Sequence, residues 1–280
     1  MVLLQWNMGV YDESKDALVN ARRAGLLMDL VDAHEPDWVA LQETPRTAVV
    51  SLLRARGYEV ESSRHRLVTA WRLRTWQATS VLPIAYDRVS AVVLREVSAA
   101  GGGRLLLLCN VHLPSLLNND RDDVKEALQD LVGEIHLYRS DPSQPVTSEV
   151  IVGDFNLEPH ERAVRGRNGL YGNRSLRHVA GRERKRRRGG QRERRRALFN
   201  PSWRLYGAEA EPYGTLYSTK GAGAPWYVFD QALFSADLVG ATMGVEVVSS
   251  FGGQTLLTPR SRAPDPAVGS DHLPLVWELS

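Results

Sequence analysis

Short apolar, β-branched runs that end abruptly in polar residues recur along this chain. VLLQWN (2–7) is the first and DWVALQE (37–43) the second. Runs of the same kind return at 59–62, 81–86, 91–97, 104–112, 149–155, 226–234 and 245–248, and the last is LPLVWEL at 273–279. Their length and composition predict strands. Three segments carry helical spacing instead. VNARRAGLLMDLVDAHEP (19–36) puts Leu26, Leu27, Leu30 and Val31 on one face, with Pro36 beyond its end. A second helix is predicted near 46–56, and a third over 121–138 with Val124, Leu128, Leu131 and Ile135 as its buried stripe. Strands outnumber the interspersed helices. Two packed sheets with helices outside accommodate this pattern, since each sheet has a face to bury.

One stretch breaks the pattern. From about 160 to 201 there is no apolar periodicity, only GRNGLYGNR and then a run of arginines. The expectation is a basic, flexible insert in a single domain spanning 1–280.

Composition narrows the class. At 280 residues, 43% hydrophobic and 24% charged, the chain has the make-up of a soluble globular protein with a substantial core. The single cysteine, Cys109, lies inside LLLLCNV, which excludes an intrachain disulfide and fits a reducing compartment. No basic leader precedes the first apolar run, and no run approaches the roughly 18 residues of a membrane span, so the expected location is the cytoplasm.

The formal net charge of +2 conceals an asymmetry. Residues 182–196, RERKRRRGGQRERRR, hold ten Arg or Lys and two Glu, a local +8, which leaves −6 for the remaining chain. A concentrated basic element on an otherwise acidic chain is the footprint of a nucleic-acid partner, or else a solvated linker.

The strand ends carry the chemistry. Asn7 follows LLQW, Glu43 follows VALQ, His112 closes LLLLCNV, and Asp154 with Asn156 follows IVG. Asp230 falls within WYVFDQALF, and Asp271 with His272 precedes LPLVWEL. Each alone has an ordinary structural reading as a turn, cap or satisfied core residue. Together they deliver carboxylates, carboxamides and imidazoles to strand termini that two-layer folds gather at one rim. There is no serine elbow and no second cysteine, so acyl transfer has little support. Carboxylates with carboxamides suit a hard cation such as Mg²⁺, and two histidines with several acids suit water activation.

The ordered series QWN, LQET, NVHLPS, VGDFN, FDQALFS and GSDHLP resembles the endonuclease/exonuclease/phosphatase superfamily, which has the deoxyribonuclease I-like fold. The resemblance implies a four-layered α/β sandwich, with two packed mixed, mainly antiparallel sheets flanked by helices. It implies a divalent-metal-dependent hydrolase, with Mg²⁺ or Mn²⁺ as cofactor. Glu43 would be the principal metal ligand, with Asn7 and Asp271 beside it. Asp154 would orient or deprotonate the attacking water, and Asn156 would hold a phosphate oxygen or the metal. His272 would contact the phosphoryl oxygen or act as general acid/base, Asp230 would fix its ring, and His112 would donate to the phosphate or the leaving group.

Two departures from the family pattern stand out. Met8-Gly9 follows Asn7 where several nucleases place another acid, and Gln231 follows Asp230 where His or Tyr is commoner. The basic run favours a nuclease on DNA or RNA, with Arg182, Arg184, Lys185, Arg186, Arg187, Arg188, Arg192, Arg194, Arg195 and Arg196 as backbone contacts beside the active rim. A phosphatase on a phosphoinositide or other small phosphoester, and a nucleic-acid-binding module with a vestigial site, are the alternatives.

Overall fold

The structure is a computed structural model that describes residues 1–10, 16–63, 66–82, 88–98, 103–115, 121–140, 146–188, 196–207, 209, 211–219, 225–240 and 242–279. The chain opens with β1 (Val2–Asn7), α1 (Ala17–His34), β2 (Trp38–Gln42) and α2 (Arg46–Ala55). Five strands follow: β3 (Tyr58–Ser62), β4 (Val68–Arg72), β5 (Trp76–Leu82), β6 (Val89–Glu96) and β7 (Leu105–His112). Next come α3 (Arg121–Ser140), β8 (Ser148–Asp154), α4 (Arg162–Arg165), β9 (Gly172–Asn173), α5 (Leu176–Arg188) and β10 (Leu198–Phe199). A 3₁₀ turn at Pro201–Gly207 precedes β11 (Leu216–Tyr217), β12 (Trp226–Tyr227) and β13 (Asp230–Phe234), and a second 3₁₀ turn covers Ala236–Leu238. The last strands are β14 (Met243–Val247), β15 (Ser250–Phe251), β16 (Gln254–Thr255) and β17 (Leu275–Leu279).

Two large sheets result. One has the order β14-β17-β1-β2-β4-β3 and the other β5-β6-β7-β8-β13-β10-β9. Each is mixed: β1–β2, β7–β8 and β9–β10 pair in parallel, and the other neighbours are antiparallel. Three apolar layers explain the stacking. Leu4, Trp6, Leu41 and Val276 turn outward to meet Leu27, Leu30 and Leu53 of α1 and α2. Leu107, Cys109, Val111 and Ile151 turn outward to meet Val124, Leu128, Leu131 and Ile135 of α3. Leu3, Trp38, Trp277, Leu106, Leu108, Val150, Val152 and Phe234 fill the space between the sheets. This is the expected four-layered sandwich.

Side chains alternate faces along a strand, so each strand sends one column inward. These columns grade from apolar to polar toward the same end. β1 runs Leu3, Gln5, Asn7; β2 runs Trp38, Ala40, Gln42; β7 runs Leu106, Leu108, Asn110, His112; β8 runs Val150, Val152, Asp154. β13 is antiparallel and begins with its polar residue, Asp230, before Ala232 and Phe234. The gradient builds a dry core at one end of the sandwich and a polar rim at the other.

The segment expected as an irregular insert carries α4, β9, α5 and β10. Val164, Leu170, Val179 and Leu198 in it are buried. These apolar residues are too widely spaced to register as a period, yet each packs on the edge of the second sheet. Within the arginine-rich run, 189–195 lie outside the described residues, and with them Arg192, Arg194 and Arg195. The predicted strand at 81–86 is the end of β5, its 83–86 portion also lying outside them. β4 was not anticipated, although Thr69, Ala70 and Trp71 are buried and it sits between β2 and β3.

Candidate active site

Strand register assembles the rim. His112 pairs with Asp154 across the parallel β7–β8 ladder, and Asp154 pairs with Asp230 across β8–β13, so the three lie in one row. Gly153, just before Asp154, makes that row close-packed. Its φ is 143°, and a Cβ there would come within 1.9 Å of the Val111 carbonyl oxygen. Asn7 stands opposite on the other sheet, and its Nδ2 donates to Asp154 Oδ2 at 3.0 Å.

The two residues that leave the strands do so through left-handed backbone. Glu43 follows the inward-facing Gln42 and would turn outward on a regular strand; its φ of 46° turns it back. His112 Nε2 is then 3.4 Å from Glu43 Oε1 and 3.7 Å from Asp154 Oδ2. Asn156, with φ 47°, donates its backbone N–H to Asp154 Oδ1 at 2.9 Å and its Nδ2 to the Leu113 carbonyl at 2.9 Å. Non-glycine residues in this region carry backbone strain, which concentrates at functional sites.

His272 enters from the loop before β17. Its Nδ1 donates to Asp230 Oδ2 at 2.7 Å, and its Nε2 faces Asp154 Oδ2 at 3.9 Å. Its backbone is held as well: its carbonyl accepts from Trp6 Nε1 at 3.0 Å, and its N–H donates to Ser270 Oγ at 3.2 Å. Asp271 Oδ1 accepts from Ser270 Oγ at 3.1 Å. Gly9 permits the close approach of this loop, since a Cβ on it would stand 2.8 Å from Ser270 Oγ and 3.0 Å from Asp271 Oδ1.

Burial and charge set the ionisation of the site. Glu43 is pushed up to about 7, first by burial and then by Asp154 and Asp271, against the opposing pull of His272. Burial likewise raises Asp154 to about 6, with Asp230 adding to it and His272 and the hydrogen bonds from Asn156 and Asn7 opposing. For the His272–Asp230 pair, burial works against both charges, yet their mutual attraction wins. His272 is held well above the ordinary histidine value, and Asp230 below the ordinary aspartate value.

The donor set fits a hard cation. Glu43 Oε2 is buried with no hydrogen-bond partner, on a carboxylate whose ionised form is penalised first by burial and then by Asp154 and Asp271. Asn7, Glu43 and Asp271 offer oxygen only, as Mg²⁺ prefers. No group of three or more His, Cys, Asp or Glu side chains arranged to hold a metal occurs among the described residues. Two carboxylates and a carboxamide do not make such a group, and Mg²⁺ commonly completes its shell with water and substrate phosphate.

The family model for the endonuclease/exonuclease/phosphatase family matches residues 4–272. The chain belongs to that family. A search of curated proteins returns no significant match. Among solved structures, a mannosyl-6-phosphatase of Bacteroides thetaiotaomicron has a TM-score of 0.62 at 14% identity, covering 100% of this chain and 99% of that one. TDP2 of D. rerio, complexed with a single-strand DNA product, has a TM-score of 0.59 at 18% identity, covering 99% and 97%. The human Nocturnin catalytic domain with bound sulfate has a TM-score of 0.59 at 16% identity, covering 100% and 94%. As an endonuclease/exonuclease/phosphatase-family protein, the chain is a hydrolase acting on phosphoester bonds.

All eight rim residues anticipated from the sequence converge. Others beneath them were not anticipated. Gln5 Nε2 donates to Asp230 Oδ1 at 2.7 Å and to Gln42 Oε1 at 3.0 Å, and Gln42 Nε2 donates to Asn110 Oδ1 at 2.6 Å. Asn110 Nδ2 reaches the carbonyls of Leu41 at 3.1 Å and Val68 at 3.0 Å, which stitches the two sheets together. The signal was present: Gln5, Gln42 and Asn110 are polar residues at the inward, otherwise apolar positions of predicted strands. Arg23 is a second omission. From α1 its buried guanidinium donates to the carbonyls of Gly9 at 3.0 Å, Pro266 at 3.0 Å and Gly269, tying the loop after Asn7 to the loop before Asp271. Gln231 fills the position where the family pattern departs, accepting from Asn200 Nδ2 at 2.9 Å and donating to the Val228 carbonyl at 3.2 Å.

The basic run divides. Arg182 is half-buried, with its guanidinium 5.5 Å from the Tyr171 ring centroid. The backbone of Arg184, Lys185, Arg186, Arg187 and Arg188 belongs to α5, while their side chains lie outside the described residues. Arg196 departs from the expected exposed cation. It is 8% exposed, with guanidinium nitrogens 4.0 Å from Glu149 and 3.9 Å from Asp237. Desolvated between two acids, it is a structural ion-pair residue.

Proposed function

We propose that this protein is a divalent-metal-dependent phosphodiesterase that hydrolyses DNA or RNA. The observation that carries the reading is the convergence of Asp154 with the Asp230–His272 pair, next to a buried Glu43 oxygen without a partner.

Glu43, Asn7 and Asp271 would hold the metal, which supplies Lewis-acid neutralisation of the phosphate when bound. Asp154 accepts the proton of the attacking water. Burial raises it to about 6, close enough to neutrality to act as a base while still ionised at pH 7. Asn7 and the Asn156 N–H hold its two oxygens by hydrogen bonds, leaving an aimed carboxylate. His272 stays protonated through Asp230 and presents Nε2–H to a phosphoryl oxygen, where negative charge grows in the transition state. His112, between Glu43 and Asp154, donates to the phosphate or the leaving oxygen. Asn156 binds a phosphate oxygen or the metal.

Nucleic acid is favoured over smaller esters by the +8 segment at 182–196 and by the fold likeness to a TDP2 with single-strand DNA product. A phosphatase reading also has support, since a mannosyl-6-phosphatase is as similar in fold. A panel of single-stranded DNA, duplex DNA, RNA, a phosphoinositide and a sugar phosphate, each with Mg²⁺ or Mn²⁺ and with EDTA, separates the two. Cleavage of a nucleic acid that needs both metal and Asp154 supports the nuclease. Turnover confined to the small phosphates replaces it with the phosphatase.

A further inference from the structure

We infer that helix α5 is a docking element for the phosphates of a nucleic acid, remote from the scissile phosphate. Its sequence, LRHVAGRERKRRR, holds seven Arg or Lys and one Glu. The basic residues crowd its C-terminal half.

Topology fixes where that half lies. β9 and β10 are adjacent and parallel, and α5 connects them, so it runs back against their direction. Phe199 of β10 pairs with Phe234, which pairs with Val150 of β8, well down the strand from Asp154. Arg182 packs over Tyr171, the residue that precedes β9. Arg196, where the run closes, sits beside Glu149 and Asp237, and Asp237 follows the end of β13. Glu149 is five residues from Asp154, about 17 Å along an extended strand. Both ends of the basic run therefore lie at the end of the sandwich opposite the rim, contrary to the expectation that it flanks the active residues. Val179 anchors the helix in the core between the sheets, which leaves its basic half a fixed starting point on the fold.

Like charges three and four apart oppose a helix, so this sequence is destabilising by itself beyond what the helix C-terminus favours. An extended polyanion offsets that repulsion through its regularly spaced phosphates and the counterions it releases. Where the scissile phosphate sits rests on the nuclease reading above. A duplex lying between the rim and α5 must then extend about five base pairs or more, at 3.4 Å per step. Short nucleic acids occupy the rim alone, and long ones gain the helix.

The test replaces Arg184, Lys185, Arg186, Arg187 and Arg188 by Gln, which keeps helix propensity, with an all-Lys set as the charge-preserving control. Binding of about 3-nucleotide DNA, too short to span from the rim to α5, and of about 40-nucleotide DNA is measured in EDTA across a salt series. The Gln set should lose at least about tenfold in affinity for the long DNA, with the salt slope falling by about 3, while the all-Lys set retains both. Binding of the short DNA should be unchanged. Equal loss on both lengths would place the helix in the catalytic groove and overturn the proposal; so would unchanged long-DNA binding, or preferential binding of anionic vesicles over DNA. Helix-dependent binding of long DNA without hydrolysis of any nucleic acid would refute the nuclease and leave the docking intact.

Discussion

Asp230 Oδ2 accepts a 2.7 Å hydrogen bond from His272 Nδ1, and the aspartate is completely buried. That contact decides both the orientation and the charge of the ring. With its first nitrogen committed to Asp230, His272 presents its second nitrogen toward Asp154, and the buried negative charge keeps the ring protonated well above the ordinary histidine value.

Replacing Asp230 by Asn should therefore act through His272. Hydrolysis should fall about 10²- to 10⁴-fold at pH 8. The alkaline limb of the pH–rate profile should move down toward about 6.5, the unperturbed histidine value. His272→Ala should lose a similar factor while remaining folded by circular dichroism. An Asp230→Asn profile that keeps its alkaline limb would show that the imidazolium is not the active form.

Glu43 and Asp154 make the metal-free protein sensitive to pH. Both are raised, to about 7 and about 6, so the folded state binds protons that the unfolded state has released. Stability is then fully present below about pH 4 and declines as pH rises to about 7, by about 1–3 kcal/mol for Glu43. Asp230 has the opposite sign: it is lowered, so its contribution holds at neutral pH and is lost in acid below about 4. In EDTA the melting temperature should fall between pH 5 and pH 8. Mg²⁺ should restore it mainly at the upper end, where the carboxylates are ionised. Glu43→Gln should flatten the pH slope, remove the Mg²⁺ response and abolish hydrolysis. A Mg²⁺ response that survives this substitution would place the cation elsewhere.

Arg23 holds three backbone carbonyls on two loops at once, at Gly9, Pro266 and Gly269. A lysine at 23 keeps the charge but not the planar fork that spans them. Arg23→Lys should weaken Mg²⁺ affinity and lower kcat, because Asn7 and Asp271 directly flank the loops it joins, while KM for substrate changes little. Titration of Mg²⁺ by melting temperature and steady-state kinetics together check this. Intact metal affinity with a lowered melting temperature would limit Arg23 to stability.

The rim was legible in the sequence because each of its residues closes an apolar run or sits in a compact polar motif, and their order carried the family resemblance. The layer beneath was less so. Gln5, Gln42 and Asn110 each interrupt an apolar column, but only the pairing of β1, β2 and β7 across two sheets shows that they satisfy one another. Arg23 lies on α1, and its three acceptors belong to residues up to 246 positions away, which no local pattern encodes. The insert was misjudged for a different reason. Its few apolar residues anchor short elements to a sheet edge, and a charge-rich helix such as α5 has no apolar stripe of ordinary width to reveal it.

Arg196 offers the sharpest contrast within the basic run. It belongs to the same string of arginines as Arg186 and Arg187, yet it is 8% exposed and lies near both Glu149 and Asp237. Removing one member of a buried charge cluster leaves the others uncompensated and costs about 3–5 kcal/mol. Arg196→Ala should thus lower the denaturation midpoint markedly while leaving the salt dependence of nucleic-acid binding unchanged in the fraction that folds. The Gln substitutions in α5 should do the reverse, changing the salt slope and sparing stability. Urea denaturation alongside salt-dependent binding of the same variants checks both. A normal midpoint for Arg196→Ala, with weakened binding, would return that arginine to the docking surface.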